Sequence, residues 1–193
     1  SRYHLPHQFI FALGTQEPRK NLVTLLEAFT LLKREHGYAG DLVIAGGTGW
    51  SRKELDRALT FHPYRSSMHI LGFVPQADKE ALYQMADLFL YISLYEGFGF
   101  PPLEAAALGT PVITGHHSSL SEIMGDVAVL VDVQNVRDIA RAAATVLADP
   151  AFRSRAEEQR GMLKAKYSWD RAAEQTLQLF RSVVQKEQAT FDG

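Results

Sequence analysis

Two carboxylates flank a short run of glycines and prolines in the middle of the chain. The segment reads Glu96-Gly97-Phe98-Gly99-Phe100-Pro101-Pro102-Leu103-Glu104. Because glycine and proline interrupt regular structure, Glu96 is expected in a loop and Glu104 near the start of a helix. Carboxylates accept hydrogen bonds from hydroxyl groups, and amides at a helix N-terminus bind anions. The pattern therefore fits a ligand with hydroxyls at both ends and phosphate between them, and a nucleotide sugar is such a molecule.

Each carboxylate also has a plainer explanation. Glu104 could be an acid favoured by the helix dipole in a first turn, and Glu96 a solvated loop residue. The whole nine-residue pattern directly follows an apolar run, and this position favours the ligand-binding interpretation.

A second glycine cluster, Gly46-Gly47-Thr48-Gly49, has a different character. A dinucleotide fingerprint needs a third glycine where this chain has Arg52, and it belongs after the first strand, whereas this cluster follows the second. We interpret the cluster as a tight turn whose amides could still line a nucleotide cleft.

The elements that must position these residues follow a regular alternation. Short apolar runs alternate with amphipathic stretches in which apolar residues recur at helical spacing. The predicted strands cover residues 9–13, 42–45, 68–71, 88–92, 111–113 and 127–131. The predicted helices cover residues 22 to near 37, 52–61, 78–85 and 103–108, with three more from residue 136 onward. This order predicts an α/β fold: a Rossmann-like parallel sheet of about six strands with helices on both faces. Such sheets bind ligands beyond the carboxyl ends of their strands.

Composition narrows the classes of function. The 193 residues fit one domain, and 20 Lys+Arg against 22 Asp+Glu give a net charge of −2, which argues against a nucleic-acid partner. Without cysteine the chain has neither disulfides nor thiolate metal sites. His116 and His117 are adjacent, so their side chains diverge, and we predict loop residues and no metal site. The chain has neither a signal peptide nor an apolar run of ~18 residues, which predicts a cytoplasmic location.

The carboxylate segment, continued to Pro111-Val112-Ile113, resembles the signature of family 4 (group 1) of the retaining glycosyltransferases. The resemblance covers nearly the whole chain and is greatest to mannosyltransferase-like members. It implies the C-terminal half of a GT-B architecture. Other segments that resemble the family are Pro18-Arg19-Lys20-Asn21, Leu71-Gly72-Phe73-Val74, Ser118-Ser119-Leu120-Ser121-Glu122 and Gly125-Asp126.

The resemblance also implies a role for each matched residue. Glu96 would be the catalytic-site carboxylate that holds hydroxyls of the transferred sugar, and Glu104 would bind the ribose. The remaining donor-binding residues would be Arg19 and Lys20 at the diphosphate, the amides around Gly97, Phe98 and Gly99, and the base-side turn of Gly72, Phe73 and Val74. Many relatives have an arginine directly after the glycine of the first strand. This chain has Gly14-Thr15 there, and Arg19 is expected to compensate.

By the same resemblance, the parent enzyme would transfer a hexose, with mannose as the candidate, from a nucleoside-diphosphate sugar to a glycan, lipid or other acceptor. No metal or other cofactor is implied. Residues 1–193 would be the donor-binding domain and residues 1–7 a linker remnant. The missing N-terminal domain would bind most of the acceptor, so this piece alone would be inactive. Any peripheral membrane contact would belong to the full-length enzyme. A non-enzymatic nucleotide-sugar-binding module, a sugar-nucleotide epimerase and a phosphorylase are the alternatives.

Overall fold

A six-stranded parallel sheet forms the centre of the fold in this computed structural model, which describes residues 3–191, with side chains as far as residue 184. The strand order is β3-β2-β1-β4-β5-β6, and every neighbouring pair is parallel. This confirms the predicted fold class. The strands are β1 (Phe9–Leu13), β2 (Asp41–Ala45), β3 (Met68–Gly72), β4 (Leu88–Tyr91), β5 (Val112–Gly115) and β6 (Val129–Val131).

Both faces of the sheet are covered, which explains why the central strands are apolar throughout. Ile10 and Leu90 belong to a buried core shared with the helices of one face. Their neighbours Phe11 and Phe89 lie against the ring of Tyr83, with centroid distances of 5.5 and 5.0 Å. Since successive side chains of a strand point to opposite faces, an apolar run is what a sheet covered on both sides requires.

Eight α-helices connect or follow the strands in the described residues. They are α1 (Leu22–His36), α2 (Lys53–Thr60), α3 (Gln76–Met85), α4 (Phe100–Ala107), α5 (Ser118–Met124), α6 (Val136–Ala148), α7 (Ala151–Lys166) and α8 (Trp169–Phe191). None of the helices within residues 3–191 is long and apolar enough to cross a membrane.

Two helices differ from the prediction. Helix α4 begins at Phe100, three residues before the expected start, because Gly99 adopts a left-handed conformation (φ 99°) as its N-cap. Pro101 and Pro102 are accommodated in the first turn, where a missing N–H costs no intrahelical bond. Helix α5 was not predicted, because its seven residues give too short a periodic pattern.

The chain forms two compact units, and the candidate site lies within the first. That unit ends at Arg160 and contains the sheet with helices α1 to α6 and most of α7, whereas the second contains the end of α7 and α8. Of the predicted linker segment 1–7, residues 1 and 2 lie outside the described residues. The Tyr3 hydroxyl donates a hydrogen bond to Asp78 Oδ2 at 2.6 Å.

Candidate functional site

A glycine lies at or directly after the end of each of the first three strands, at the carboxyl edge of the sheet. Gly14 N donates to Ala45 O at 3.0 Å, and Gly46 N donates to Gly72 O at 2.7 Å. Gly46 has a φ of 136°, and a Cβ placed on it would overlap the carbonyl oxygen of Gly14. The glycine after β2 is therefore a tight-turn residue, as interpreted from the sequence, and it lets the loops after β1 and β2 approach each other.

The carboxylate segment follows β4 at the same edge. Glu96 lies in the loop, and Glu104 is the fifth residue of α4. Because Pro101 and Pro102 have no N–H, amides offered to an anion at this end of α4 must come from residues 97–100. The backbone amides available to an anion at this end of α4 therefore belong mainly to the loop.

Glu96 is the centre of a compact charged cluster. Its Oε1 accepts hydrogen bonds from Lys20 Nζ at 2.5 Å and from the Tyr91 hydroxyl at 2.6 Å, and its Oε2 lies 2.7 Å from Arg19 Nη1. The Glu96 side chain is only 11% exposed. Burial acts to raise the pKa of Glu96, but the hydrogen bonds from Lys20 and Tyr91 outweigh it and lower the pKa to about 2.

The two cations of this cluster come from a 3-10 turn, Pro18–Lys20, in front of α1. Arg19 donates to Tyr95 O at 2.9 Å and to Glu17 Oε1 at 2.7 Å, so together with Glu96 three acceptor groups hold its guanidinium. Lys20 is less exposed than Arg19, with side-chain values of 12% and 41%. The structure thus brings Arg19, Lys20 and Glu96 together at one edge of the sheet.

Glu104 forms a second, similar cluster. Lys79 Nζ lies 3.0 Å from Oε1 and 2.8 Å from Oε2 of Glu104, and the Tyr83 hydroxyl donates to Oε2 at 3.1 Å. Lys79 and Tyr83 are four residues apart in α3 and therefore share one face of that helix. Sequence reasoning missed both residues, and this i, i+4 spacing inside a predicted helix was the available signal.

The predicted base-side turn lies at the end of β3. Gly72 has a φ of 67°, Val74 is buried, and the Phe73 ring is 79% exposed. Helix α3 starts shortly after this turn, and its Lys79 contacts Glu104. One short helix therefore connects the base-side turn with the predicted ribose carboxylate. Phe98 forms a ring pair with Phe100, their centroids 4.6 Å apart.

The adjacent histidines bond to backbone carbonyls. A His116 ring nitrogen, Nδ1, lies 2.7 Å from Val131 O, and His117 Nε2 lies 2.7 Å from Leu94 O. No group of three or more histidines and carboxylates suited to a metal occurs in the described part of the chain. Ser119 belongs to a segment that resembles the family but was given no role from the sequence. Its hydroxyl donates to Glu96 O at 2.9 Å and anchors the carboxylate loop to α5.

Comparison with known proteins gives both a family and a fold. Residues 5–162 match the model of the family described as glycosyl transferases group 1. The chain is 35% identical, over 182 residues, to O-antigen chain mannosyltransferase B of Escherichia coli, which covers 93% of this chain and 48% of that protein.

Two solved structures have the same fold. Sucrose-phosphate synthase from Thermosynechococcus elongatus matches with a TM-score of 0.82 and 25% identity over 96% of this chain and 48% of its own. Anabaena HepE in complex with UDP and glucose matches with a TM-score of 0.80 and 19% identity over 91% of this chain and 49% of its own. The chain therefore spans about half the length of each of these three proteins.

Proposed function

Because the chain belongs to the glycosyl transferases of group 1, we propose that it contains the donor site of a hexosyltransferase that uses a nucleoside-diphosphate sugar. The observation that carries the proposal is the contact of Glu96 with Arg19 and Lys20 at the carboxyl edge of the sheet. Two cations suit a diphosphate, and a carboxylate beside them suits the hydroxyls of the sugar attached to it.

The proposed chemistry is electrostatic. As the acceptor hydroxyl attacks the anomeric carbon, the bond from that carbon to the diphosphate oxygen breaks and negative charge develops on the leaving group. Arg19 and Lys20 would stabilise this charge, and Glu96 would orient the sugar. We propose attack on the same face that the diphosphate leaves, so that a diphosphate oxygen takes the acceptor proton and the anomeric configuration is retained.

The finer identity of the substrates is also a proposal. Mannose is the candidate sugar, supported by the 35% identity to an O-antigen chain mannosyltransferase. The acceptor would be bound mainly by a further domain, because the chain spans only 48% of that relative.

A cytoplasmic location stays a prediction. The family match favours a transferase over a binding module, an epimerase or a phosphorylase.

The experiment that tests this function is a titration of the 193-residue chain with a panel of donors. Isothermal titration calorimetry uses GDP-mannose, UDP-glucose and ADP-glucose, together with the matching nucleoside diphosphates GDP, UDP and ADP. At least one sugar donor and its nucleoside diphosphate are expected to bind. Repeating the titration in EDTA and in Mg²⁺ tests the proposed independence from metal. If none of the panel binds at millimolar concentration, the donor-site proposal is wrong.

Glu104→Ala is expected to weaken binding of the nucleoside, the diphosphate and the donor alike, by about 1 to 3 kcal/mol, because all three contain the ribose. The substitution also leaves Lys79 without its carboxylate, so Lys79→Met serves as the control for that charge. Calorimetry with the three ligands checks the result. An unchanged nucleoside affinity in Glu104→Ala would remove the ribose role.

A further inference from the structure

The Tyr91 hydroxyl lies between the lysine and the carboxylate of the first cluster. It is 2.7 Å from Lys20 Nζ and 2.6 Å from Glu96 Oε1. Tyr91 is the last residue of β4, is only 4% exposed, and stacks on Phe89 with 5.9 Å between ring centroids. Its position is therefore set by the sheet, whereas those of Lys20 and Arg19 depend on side chains with more rotatable bonds.

The direction of the two hydrogen bonds follows from the donors available. An ammonium group can only donate, so the Tyr91 oxygen accepts from Lys20, and its single proton must go to Glu96. Burial and the adjacent Glu96 carboxylate raise the pKa of Tyr91 above its ordinary value. The hydroxyl therefore keeps its proton near neutral pH and remains a donor to Glu96.

We propose that Tyr91 is the positioning residue that holds the Glu96 carboxylate toward the donor sugar when Lys20 turns to the diphosphate. The inference rests on the proposed function. A diphosphate competes with Glu96 for the charges of Lys20 and Arg19, and both side chains are long enough to shift toward it. Tyr91 is fixed in the strand and has no charge to offer, so it stays on Oε1. The carboxylate keeps a buried donor and presents its remaining acceptor positions to the sugar hydroxyls.

Tyr83 provides a matched control. Its hydroxyl donates to Glu104 at 3.1 Å, so Tyr83→Phe and Tyr91→Phe remove the same group from the two carboxylates. Both side chains are almost fully buried, and both rings contact Phe89. A general effect of deleting a buried hydroxyl should therefore appear in both variants, whereas an effect on sugar recognition should appear only at Tyr91.

The test compares Kd values of both variants for nucleoside, nucleoside diphosphate and the sugar donor that binds the unsubstituted chain. Tyr91→Phe is expected to lower donor affinity by roughly tenfold more than diphosphate affinity. Tyr83→Phe is expected to lower all three affinities by a similar factor. In the Glu96→Gln background, Tyr91→Phe should have no further effect on the ratio of donor to diphosphate affinity, because the residue acts through Glu96.

A second measurement follows the Glu96 carboxyl carbon by NMR during a pH titration. In the complex with nucleoside diphosphate, the pKa of Glu96 is expected to be higher in Tyr91→Phe than in the unsubstituted chain, because the substitution removes a hydrogen bond to the carboxylate. Tyr83→Phe removes a buried hydroxyl that contacts Glu104, so it should leave the Glu96 pKa unchanged.

Different results overturn the Tyr91 inference and the proposed donor site. If the unsubstituted chain binds diphosphate and donor, but Tyr91→Phe changes neither their ratio nor the Glu96 pKa, the Tyr91 inference is overturned. A Glu96 pKa in the diphosphate complex that is the same with and without Tyr91→Phe overturns it as well. Absence of all nucleotide binding by the unsubstituted chain instead overturns the proposed function, and the role of Tyr91 falls with it.

Discussion

Glu96→Gln is expected to lower turnover of the full-length enzyme by about 10²-fold or more while leaving the affinity for bare nucleoside diphosphate equal or higher. The amide removes the charge and replaces one acceptor oxygen with a donor, so the sugar hydroxyls lose their partner. The diphosphate makes no proposed contact with Glu96. It gains instead, because Lys20 and Arg19 no longer have to be drawn from a carboxylate that they contact at 2.5 and 2.7 Å.

Glu17→Gln is the control for this substitution. It removes the same charge from the same cluster, but Glu17 bonds to Arg19 and is placed outside the sugar site. Turnover is expected to change severalfold at most, since Arg19 keeps its bond to Tyr95 O. Steady-state kinetics and calorimetry together check the pair. Equal losses of turnover and of diphosphate affinity in Glu96→Gln would point to a structural role for Glu96.

The pH dependence of donor affinity provides a second test of Glu96. The folded-state pKa of Glu96 is lowered to about 2, so the carboxylate is ionised at every pH well above that value. In the free chain Glu96 is therefore ionised throughout pH 4 to 8, and no loss of donor affinity from protonation of the free carboxylate is expected in that range. A loss of donor affinity near pH 4.5 that disappears in Glu96→Gln would contradict the low pKa.

Lys20→Met is expected to weaken nucleoside diphosphate binding by about 1.5 to 3 kcal/mol and to leave nucleoside binding nearly unchanged. Only the diphosphate presents the charge that Lys20 is proposed to meet. Methionine keeps most of the apolar stem, which packs against Gly14, so the loss should come mainly from the ammonium. The salt dependence of diphosphate affinity should also become weaker, because one charge contact is missing.

Arg34→Ala is the control for this charge change. Arg34 lies in the last turn of α1, pairs with Glu35 and is 60% exposed. A helix rises 1.5 Å per residue, which places Arg34 about 20 Å along α1 from Lys20. Calorimetry at two salt concentrations should therefore show a loss for Lys20→Met and almost none for Arg34→Ala. A similar loss for nucleoside and diphosphate in Lys20→Met would remove Lys20 from the phosphate site.

The sheet was predictable because each strand is a short apolar run between turn residues, and the helices of one face have a clear apolar stripe. The start of α4 was not, because proline blocks the interior of a helix but suits its first turn, and a sequence does not tell the two positions apart. Helix α5 escaped because seven residues span only two turns.

How much the sequence predicted about the site differs from residue to residue. The resemblance placed Glu96, Glu104, Arg19 and Lys20 at one edge, and their roles toward a ligand stay predictions. Tyr91 lies within an apolar strand and had no local signal of function. The i, i+4 spacing of Lys79 and Tyr83 was a signal, but it did not indicate which residue the pair contacts. Their contacts depend on which strands are neighbours and on how α3 is rotated, and both are properties of the folded chain.

The contact between the turns after β1 and β2 sets a limit on how this sequence can vary. Gly46 approaches the Gly14 carbonyl so closely that even a methyl group would push the two turns apart. The turn after β1 leads directly to the 3-10 turn that carries Arg19 and Lys20. A residue with no side chain is therefore constrained by backbone spacing, and tolerance to substitution at this edge follows that spacing as well as charge.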